Sequence, residues 1–544
     1  MKKFSLVLLM CTLMTGILFA GGKQAAGSGD LVKAAWFSDV AGWNPPLTWN
    51  LDENTVTGYM TKQTGVQFEM NIPPEDGSAK LALMLVSGKL PDVMTLTDGD
   101  MIKELIDAGK VWKLEELLKT HDPGSHLLTD FPADMKEALK YKDGDWYSFP
   151  SHQDSPDARK VIPPVPFYED YFNYSVNVAL MWDNDVLARV GLNKADLQTE
   201  EQVLAAWRKV KASGATAANG QPIIPVMLNP NYQYNPLIFL YMSFGAEEVD
   251  RNGVYHDRIL TPQAKHALKF FNTLYREGII DAAQLTIDEA QQRSLFASGR
   301  VLSFMGDPGG MGAEKTHGNY WSAGPIVSSD GARPILSKSL RAGTGWMQTL
   351  ISKDTRNPAV LAKWLSYMSG RDGMFLAEYG LEGRDYTIGA GNVVQVTPAG
   401  EQNKIDTTKT GVFAYWPFHN SAFEYGTRPS PAAGSADANY VQVTSALGKY
   451  KDTAIYDGGL LNQPSGFIDP NSDIGIIQLQ ITNFKEAQIS TLITASSDAI
   501  FEREYNTLIT QLKSLGIDKL DAKINEAVQA NYRRFGARIQ KVNP

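Results

Sequence analysis

The stretch Phe270–Gly310, FFNTLYREGIIDAAQLTIDEAQQRSLFASGRVLSFMGDPGG, predicts two helices that lead into a strand. Phe271 and Leu274 belong to an apolar pattern with the spacing of one helix face. Gly278 stands just past the last turn of this helix, where glycine readily forms a left-handed cap. A second helix follows and ends at Gly299.

A short apolar run, Val301–Met305, follows these helices and stops abruptly at Gly306–Gly310. Such a run, preceded by a helix and bounded by turn residues, is typical of a buried strand in an α/β sheet. Ligands of open α/β sheets bind outside the carboxyl ends of the strands, where Asp307 would lie. The stretch therefore predicts the floor and one edge of a binding cleft.

The N-terminal half of the chain repeats the alternation of strand and helix, which indicates an α/β fold with mostly parallel sheets. Near Tyr141–Ser151, the pair Asp143-Gly144 predicts a hairpin. The last ~70 residues have mainly helical periodicity. Predicted strands are Leu31–Ser38, Gly65–Ile72, Leu90–Leu96, Tyr174–Trp182 and Ile223–Leu228, and predicted helices include Glu53–Thr64, Lys80–Gly88 and Asp100–Ala108.

Length and charge narrow the class of protein. A chain of 544 residues is too long for one ordinary core, so at least two domains are expected. The formal net charge is −9 and no basic cluster is present, which argues against nucleic-acid binding because phosphate contacts require Lys and Arg.

The N-terminus has the pattern of a secretory signal. Lys2 and Lys3 precede an apolar segment that ends near Phe19, so we expect cleavage after residue 20 and a flexible tether at 21–30. Cys11 is the only cysteine and lies inside this signal, preceded by Met10 rather than by a small residue, so lipid anchoring is the less favoured alternative. An exported chain without cysteine in its mature part predicts a periplasmic bacterial protein.

Catalytic and metal motifs are absent from the sequence. It contains no HExxH, no GxSxG and no phosphate loop of correct spacing, and its seven His are scattered. Asp469–Gly475 resembles a calcium loop, but its glycine falls one place late and no Glu closes it, so we interpret it as a turn. We expect no metal and no cofactor. Paired carboxylates are frequent in an acidic chain, so a glycan hydrolase stays open as an alternative.

An ordered series of short motifs resembles the extracellular solute-binding proteins (family 1) of ABC sugar importers, and within them the aldouronate and complex-oligosaccharide branch. The agreement in order and spacing covers about residues 31–390. The motifs are Lys62–Val66, Leu83–Val93 (LMLVSGKLPDV), Asp183–Leu192, Leu274–Gly278, Phe296–Met305, Ile351–Pro358 and Tyr379–Gly383.

The resemblance implies a periplasmic-binding-protein-like fold, with two α/β lobes joined by a multi-strand hinge. We expect lobe 1 to comprise 31–173 and 327–388, and lobe 2 to comprise 174–326 and 389–544. The crossings would lie near Phe172–Val178, Trp321–Ile326 and Arg384–Val394. The family often carries an aspartate-rich calcium loop where this chain has Ser213–Gln221, which contains no carboxylate.

Sugar recognition requires flat apolar surfaces for the C–H faces of the ring and polar groups for its hydroxyls. The candidate ligand-binding residues are Asp39, Trp43, Asp98, Tyr234, Asn235, Asp307, Trp346 and Trp416. Five of them have a structural alternative. Trp346 and Trp416 could be packing residues. Asp39 could be a turn or cap residue, Asp98 is favoured as a helix cap, and Asp307 could shape a turn.

These observations predict a periplasmic, monomeric substrate-binding protein that captures an oligosaccharide between two lobes and delivers it to ABC permease subunits. The alternatives are a secreted glycan hydrolase and a lobe pair that binds peptide or lipid. The sequence does not identify the sugar. Arg341 or Arg428 could supply a basic pocket for a uronate.

Overall fold

A computed structural model describes residues 31–75, 77–310, 318–339, 341–536 and 539–542. The predicted signal peptide and tether lie outside the described residues. The strands are β1 Val32–Ser38, β2 Val66–Asn71, β3 Val93–Leu96, β4 Phe149–Pro150, β5 Ala179–Asp183, β6 Met227–Leu228, β7 Ser303–Gly306, β8 Tyr320–Trp321, β9 Ile335–Lys338, β10 Gln348–Ile351, β11 Tyr386–Ile388, β12 Val394–Val396, β13 Ala454–Asp457 and β14 Ile539–Val542.

The helices alternate with the strands as far as β7 and dominate the C-terminal part. They are α1 Val56–Thr64, α2 Gly77–Ser87, α3 Gly99–Asp107, α4 Leu114–His121, α5 Ala133–Asp143, α6 Pro156–Val161, α7 Glu169–Tyr174, α8 Asn184–Val190, α9 Glu200–Ser213, α10 Asn235–Ser243, α11 Pro262–Arg276, α12 Glu289–Ala297, α13 Pro358–Ser369, α14 Arg371–Tyr379, α15 Pro398–Ile405, α16 Thr407–Thr410, α17 Ser421–Thr427, α18 Ala436–Lys449, α19 Asp473–Ile493, α20 Asp498–Leu515 and α21 Ile517–Phe535.

The stretch that predicted the fold forms α11, α12 and β7, as expected. Gly278 and Gly299 adopt positive φ angles of 60° and 67° just past the two helices. All four residues of β7 are buried. The periodicity of the sequence therefore predicted this part of the second lobe correctly.

Lobe 1 is built on a five-stranded sheet of order β2-β1-β3-β10-β4. β1 pairs in parallel with β2 and β3, whereas β10 runs antiparallel to β3 and β4. Trp36, Phe149, Ile351 and Phe418 lie in the cluster that fills its main core. Lobe 2 is built on a four-stranded sheet of order β6-β7-β5-β8 and a smaller sheet of order β14-β13-β9.

The sheets are mixed rather than mostly parallel, which corrects that part of the prediction. β5 runs antiparallel to both β7 and β8. The reason is topological: β5 and β10 each enter their sheet from the other lobe, so they start at the edge where the neighbouring parallel strands end.

The chain passes between the lobes between β4 and β5, between β9 and β10, and between α17 and α18. Only the first passage contains a predicted crossing, Phe172–Val178. Trp321 pairs with Trp182 inside lobe 2, and Val394 packs with lobe 1 residues Phe375 and Phe423. The two other predicted crossings are therefore wrong.

The lobe boundaries shift accordingly. Leu336 of β9 belongs to the main core of lobe 2, although the sequence assigned 327–388 to lobe 1. Val412 and Phe418 belong to the main core of lobe 1, although the sequence assigned 389–544 to lobe 2. These passages are short or irregular, so they carry no periodic signal that could have located them.

A loop after β13 forms a noncovalent connection between the lobes, away from the covalent crossings. The backbone N–H of Ser465 donates to the carbonyl of Lys142 at 2.7 Å, at the end of α5 in lobe 1. The Ser465 hydroxyl donates to Asp143 at 2.6 Å. Two hydrogen bonds thus connect lobe 2 to lobe 1 in addition to the covalent crossings.

Two features of the C-terminal part bear on earlier predictions. Asp469–Gly475, interpreted as a turn, leads into α19, and Ser472 caps that helix by accepting from Gly475 N at 3.1 Å. In the part of the chain that the structure describes, helices long enough to cross a bilayer are too polar to do so.

Candidate functional site: the cleft between two sheet edges

The candidate site is assigned to the edge of each main sheet at which the chain enters from the other lobe, before β5 and before β10. In lobe 1, β1 and β3 end at this edge, and the antiparallel β10 begins there, because Gln348 pairs with Leu96. In lobe 2, the parallel strands β6 and β7 end at the matching edge, where β5 begins. The residues that follow these strand ends are therefore the ones that can reach a ligand.

Two tryptophans form an aromatic surface at the edge of lobe 1. Trp346 precedes β10 and is 51% exposed, and its ring centroid lies 6.2 Å from that of Trp416, which is half-buried. The Trp416 indole N–H donates to the carbonyl of Phe413 at 3.1 Å, which fixes the ring. His152, which follows β4, packs edge-on against Trp346 at 5.8 Å. Trp346 and Trp416, which the sequence gave as separate candidates, are thus neighbours in the structure.

A buried charged cluster lies beneath this surface and was not found from the sequence. His419 approaches Glu378 with its Nδ1 atom at 2.5 Å and Glu424 with its Nε2 atom at 3.3 Å. Arg428 pairs with Glu424 at 3.0 Å. The His419 ring lies 4.6 Å from that of His152, directly under the aromatic surface.

The electrostatics of the cluster favour a protonated histidine. Burial opposes the charged form of His419, but the carboxylates of Glu378 and Glu424 outweigh it and raise the pKa of His419 to about 8. Burial also disfavours charge on Glu424, yet Arg428 and His419 hold the pKa of that carboxyl below its usual value. The ligand atoms of Glu378, His419 and Glu424 lie within 4.8 Å of one another, close enough to hold a metal ion. Arg428 already supplies a positive charge to Glu424, so we interpret the group as a salt-bridge network.

Asn229 organises the edge of lobe 2. Its Oδ1 atom accepts from the backbone N–H of Asp307 at 2.7 Å and from the Asn235 amide at 3.1 Å. The Asp307 carboxylate in turn accepts from the N–H of Gly309 at 2.9 Å. Asp307 and Asn235 were predicted from the sequence, but Asn229, which joins them, was not singled out.

Gly306 is required for this arrangement. Its φ angle is 154°, and a Cβ atom at this position would lie 2.4 Å from the Cβ of Asn229. A side chain would therefore displace the loop that presents Asp307. Tyr234 precedes α10 beside these residues and is 59% exposed, so its ring is available to a ligand.

Two further predicted residues, Asp39 and Asp98, hold the loops of the lobe 1 edge. Asp39 accepts from Thr97 N with both oxygens at 3.0 Å and from Asp98 N at 3.0 Å. Burial raises the pKa of Asp39. Asp98 caps α3 by accepting from Asp100 N and Met101 N, as the cap interpretation predicts.

Trp43 is placed in the core, which corrects its assignment as a ligand-binding residue. It is 1% exposed, packs on Trp36 with ring centroids 5.2 Å apart, and donates its indole N–H to the carbonyl of Ala414 at 2.7 Å. Its polar atom is satisfied internally and its faces are covered by lobe 1 side chains, so it presents no surface to a ligand in this structure.

The base of the cleft is formed by the first crossing. Tyr171 of α7 packs on Tyr425 of α17, with ring centroids 4.6 Å apart. Lys338, at the end of β9, donates to the carbonyl and hydroxyl of Ser175 at 2.9 and 3.1 Å. The lysine thus ties the first crossing to the second. Burial lowers the pKa of Lys338 to about 8.

A cavity of about 440 Å³ opens elsewhere between the lobes. It lies between α5, the passage from β9 to β10, and the end of α21. Its lining includes Asp134, Tyr141, Arg341, Thr344, Arg534 and Phe535. The eight residues predicted from the sequence do not line it, so it is distinct from the sheet-edge site.

Residues 41–375, more than half of the chain, match the model of the bacterial extracellular solute-binding protein family. The chain belongs to this family, whose members bind substrates outside the cytoplasmic membrane. It is similar to the fructooligosaccharide ABC transporter substrate-binding protein FusA of Streptococcus pneumoniae. The identity is 22% over 388 residues, which make up 67% of this chain and 68% of that protein.

Solved structures show the same two-lobed fold. FusA from Streptococcus pneumoniae in complex with kestose has a TM-score of 0.68 at 17% identity, covering 92% of this chain and 100% of that one. An HMO-binding ABC-transporter-associated solute-binding protein from Bifidobacterium longum infantis has a TM-score of 0.66 at 15% identity, covering 93% and 99%. The alginate-binding protein AlgQ2 without calcium ion has a TM-score of 0.64 at 15% identity, covering 92% and 99%.

Proposed function

We propose that this protein is the periplasmic substrate-binding component of an ABC importer and that it captures an oligosaccharide between its lobes. One observation carries the proposal: in a member of a solute-binding family, the exposed Trp346 joins Trp416 at the edge of one main sheet, and a fixed polar group around Asp307 follows β7 in the other. This combination of a flat apolar surface and fixed polar groups is what a sugar ring requires.

The chemistry of each wall supports a sugar ligand. The indole faces of Trp346 and Trp416 can pack against the C–H face of a pyranose or furanose ring. Asp307 offers carboxylate oxygens to ligand hydroxyls, and the Asn235 amide can donate to them or accept from them. Relatives of this chain are named for fructooligosaccharide and HMO binding, and one was solved with kestose, which is consistent with this assignment.

Transport would proceed by a shift between conformations. A ligand that contacts both walls stabilises the form in which the two sheet edges are close, and the permease subunits recognise the outer surface of that form. The protein acts as a monomer and releases its ligand unchanged, without a cofactor or metal. Residues 1–20 direct export and are then removed, so the mature chain works in the periplasm.

Binding assays on the purified mature chain test this function. Isothermal titration calorimetry with a panel of oligosaccharides should give saturable binding to at least one, and mass spectrometry should recover that sugar intact. Trp346→Ala should weaken binding. Tyr532→Ala is the control and should not, because it removes an exposed aromatic ring of α21 that packs beside Gly253. Shortening of the sugar would support the glycan hydrolase instead. Binding of peptides but of no carbohydrate would refute the proposal.

A further inference from the structure

We propose that His152 is a further ligand-binding residue of the cleft, and that its imidazole donates a hydrogen bond to a hydroxyl group of the sugar that packs on Trp346. The inference rests on the proposed function and adds a polar contact that the sequence did not single out. Three observations carry it: the backbone conformation of His152, the position of its ring, and the hydrogen bonds around it.

His152 has a backbone conformation that few residues other than glycine adopt. Its φ angle is 50°, and among the described residues the other non-glycine residues with positive φ are Asn231 and Phe413. Asn231 lies in the loop that follows β6 and precedes Tyr234. The carbonyl of Phe413 accepts from the indole of Trp416. All three residues therefore lie in loops of the candidate site, and backbone strain of this kind is characteristic of sites that hold a ligand.

The residues on either side of His152 fix this conformation. Ser151 is buried; its N–H donates to the carbonyl of Met347 at 2.9 Å, and its hydroxyl accepts from the N–H of Met347 at 2.9 Å. Gln153 is also buried, and its N–H donates to the carbonyl of His419 at 3.2 Å. Between these two neighbours the chain turns outward at His152, whose side chain is exposed. Glycine would adopt the same turn without strain, so the conformation alone gives no reason for a histidine.

The ring of His152 lies at the rim of the aromatic surface. Its centroid is 5.8 Å from that of Trp346, and the two planes are inclined by 70°. A sugar that packs its C–H face on Trp346 directs its hydroxyl groups outward around its own edge. A polar group that stands edge-on at the border of the tryptophan is therefore well placed to bind one of these hydroxyls.

The hydrogen bonds of the ring leave one nitrogen for the ligand. Nδ1 lies 3.0 Å from the Ser151 hydroxyl, whose oxygen already accepts from Met347. The Ser151 proton is thus left for Nδ1, and in this arrangement the proton of a neutral ring is on Nε2. Desolvation by the surrounding protein and the charge of His419 lower the pKa of His152 to about 3, which keeps the ring neutral. Nε2 has no hydrogen-bond partner among the described residues, so its N–H can donate to a sugar hydroxyl.

Calorimetry on the mature chain tests this contact. The oligosaccharide panel, which includes kestose, maltotriose and lacto-N-tetraose, first identifies the probe that the wild type binds best. His152→Gly removes the imidazole without straining the backbone and should weaken binding of that probe about fivefold, the loss expected for one hydrogen bond. The midpoint of thermal unfolding should change little, because relief of the left-handed conformation offsets the lost contacts of an exposed ring. His152→Asn tolerates positive φ and retains an amide donor, so it should recover part of the affinity.

His121→Asn is the matched control. The ring of His121 stands edge-on to that of Trp112 at 5.7 Å, as the ring of His152 does to that of Trp346. The N–H of Trp112 donates to the carbonyl of Ile351, which lies at the end of β10 away from the cleft edge. The control therefore removes the same kind of histidine–tryptophan contact outside the site, and it should bind the probe as tightly as the wild type.

Nitrogen NMR of the chain labelled at its histidines gives a readout that a merely structural role would not move. The Nε2 resonance that disappears in His152→Gly should be that of a protonated nitrogen and should shift when the probe is added, whereas the resonances of His121 should not. Equal affinities of the wild type and His152→Gly, or an Nε2 resonance that does not shift, would overturn the inference and leave the transport function intact. Failure of the wild type to bind any carbohydrate of the panel would refute both.

Discussion

The ring of Trp346 lies 6.2 Å from that of Trp416, and the two planes are inclined by 40°. The residues are 70 positions apart in the chain: Trp346 precedes β10, and Trp416 follows a loop that packs on the core of lobe 1. The inclination leaves a shallow angled surface rather than a flat stack. Such a surface can contact two consecutive sugar units whose rings are not coplanar.

Replacing Trp346 with Ala should weaken oligosaccharide binding about tenfold or more, because half of this ring is exposed and its loss removes apolar contact with the ligand. The midpoint of thermal unfolding should change little for the same reason. Trp346→Phe retains a flat ring and should recover part of the affinity. Equal affinities of the wild type and Trp346→Ala, measured by calorimetry, would remove the aromatic surface from the site.

Replacing Trp43 with Ala should instead lower the free energy of unfolding by about 3–5 kcal/mol, as is usual for truncation of a buried aromatic side chain. Urea denaturation followed by circular dichroism measures this loss. A stable Trp43→Ala variant that no longer binds sugar would show that Trp43 belongs to the cleft after all, contrary to its position in the core.

Gly306→Ala should abolish or strongly reduce binding, because the added Cβ would lie 2.4 Å from the Cβ of Asn229 and displace the loop carrying Asp307. Gly299→Ala is the matched control: its φ angle is 67°, but no atom lies within 4 Å of the added Cβ. The control should lower the free energy of unfolding by only about 1 kcal/mol, which is the strain of an alanine in the left-handed conformation. Similar losses of binding in both variants would contradict the steric argument.

The stability of the protein should fall as the pH rises from about 6.5 to about 8. His419 has a folded-state pKa of about 8, above its ordinary value of 6.5, so its protonation stabilises the folded state fully below pH 6.5 and is lost through pH 8. The loss of this protonation should lower the free energy of unfolding by about 2 kcal/mol. Urea unfolding at pH 6, 7 and 8.5 measures it, and His419→Gln should remove this part of the pH dependence. An identical pH profile in the variant would rule out His419 as its source.

Two of the candidate residues were singled out from the sequence because they stand next to strands. Asp307 follows the apolar run that forms β7, and Trp346 comes shortly before β10. His419 and Glu378 could not be singled out, because they are 41 positions apart and meet only when the segment around Phe418 packs against the end of α14. No local pattern marks such a pair.

The pair Asp143-Gly144 shows the same limit for the fold. It predicted a hairpin, but Gly144 adopts a φ angle of 82° as the C-cap of α5. Both structures use a residue with positive φ, so the pair alone does not distinguish them. The helix is favoured over the hairpin because Met135 and Leu139 of α5 are buried in the core of lobe 1.

The two hydrogen bonds from Ser465 to Lys142 and Asp143 connect the lobes, so a rotation of the lobes that separates these groups has to break them. We therefore expect these hydrogen bonds to affect the rates of lobe opening and closing rather than the choice of sugar. Ser465→Ala should alter the rate at which a bound sugar dissociates in stopped-flow fluorescence more than it alters which sugar is bound. Substitutions at this distant contact would change the residence time of the ligand without altering the surface that the ligand contacts.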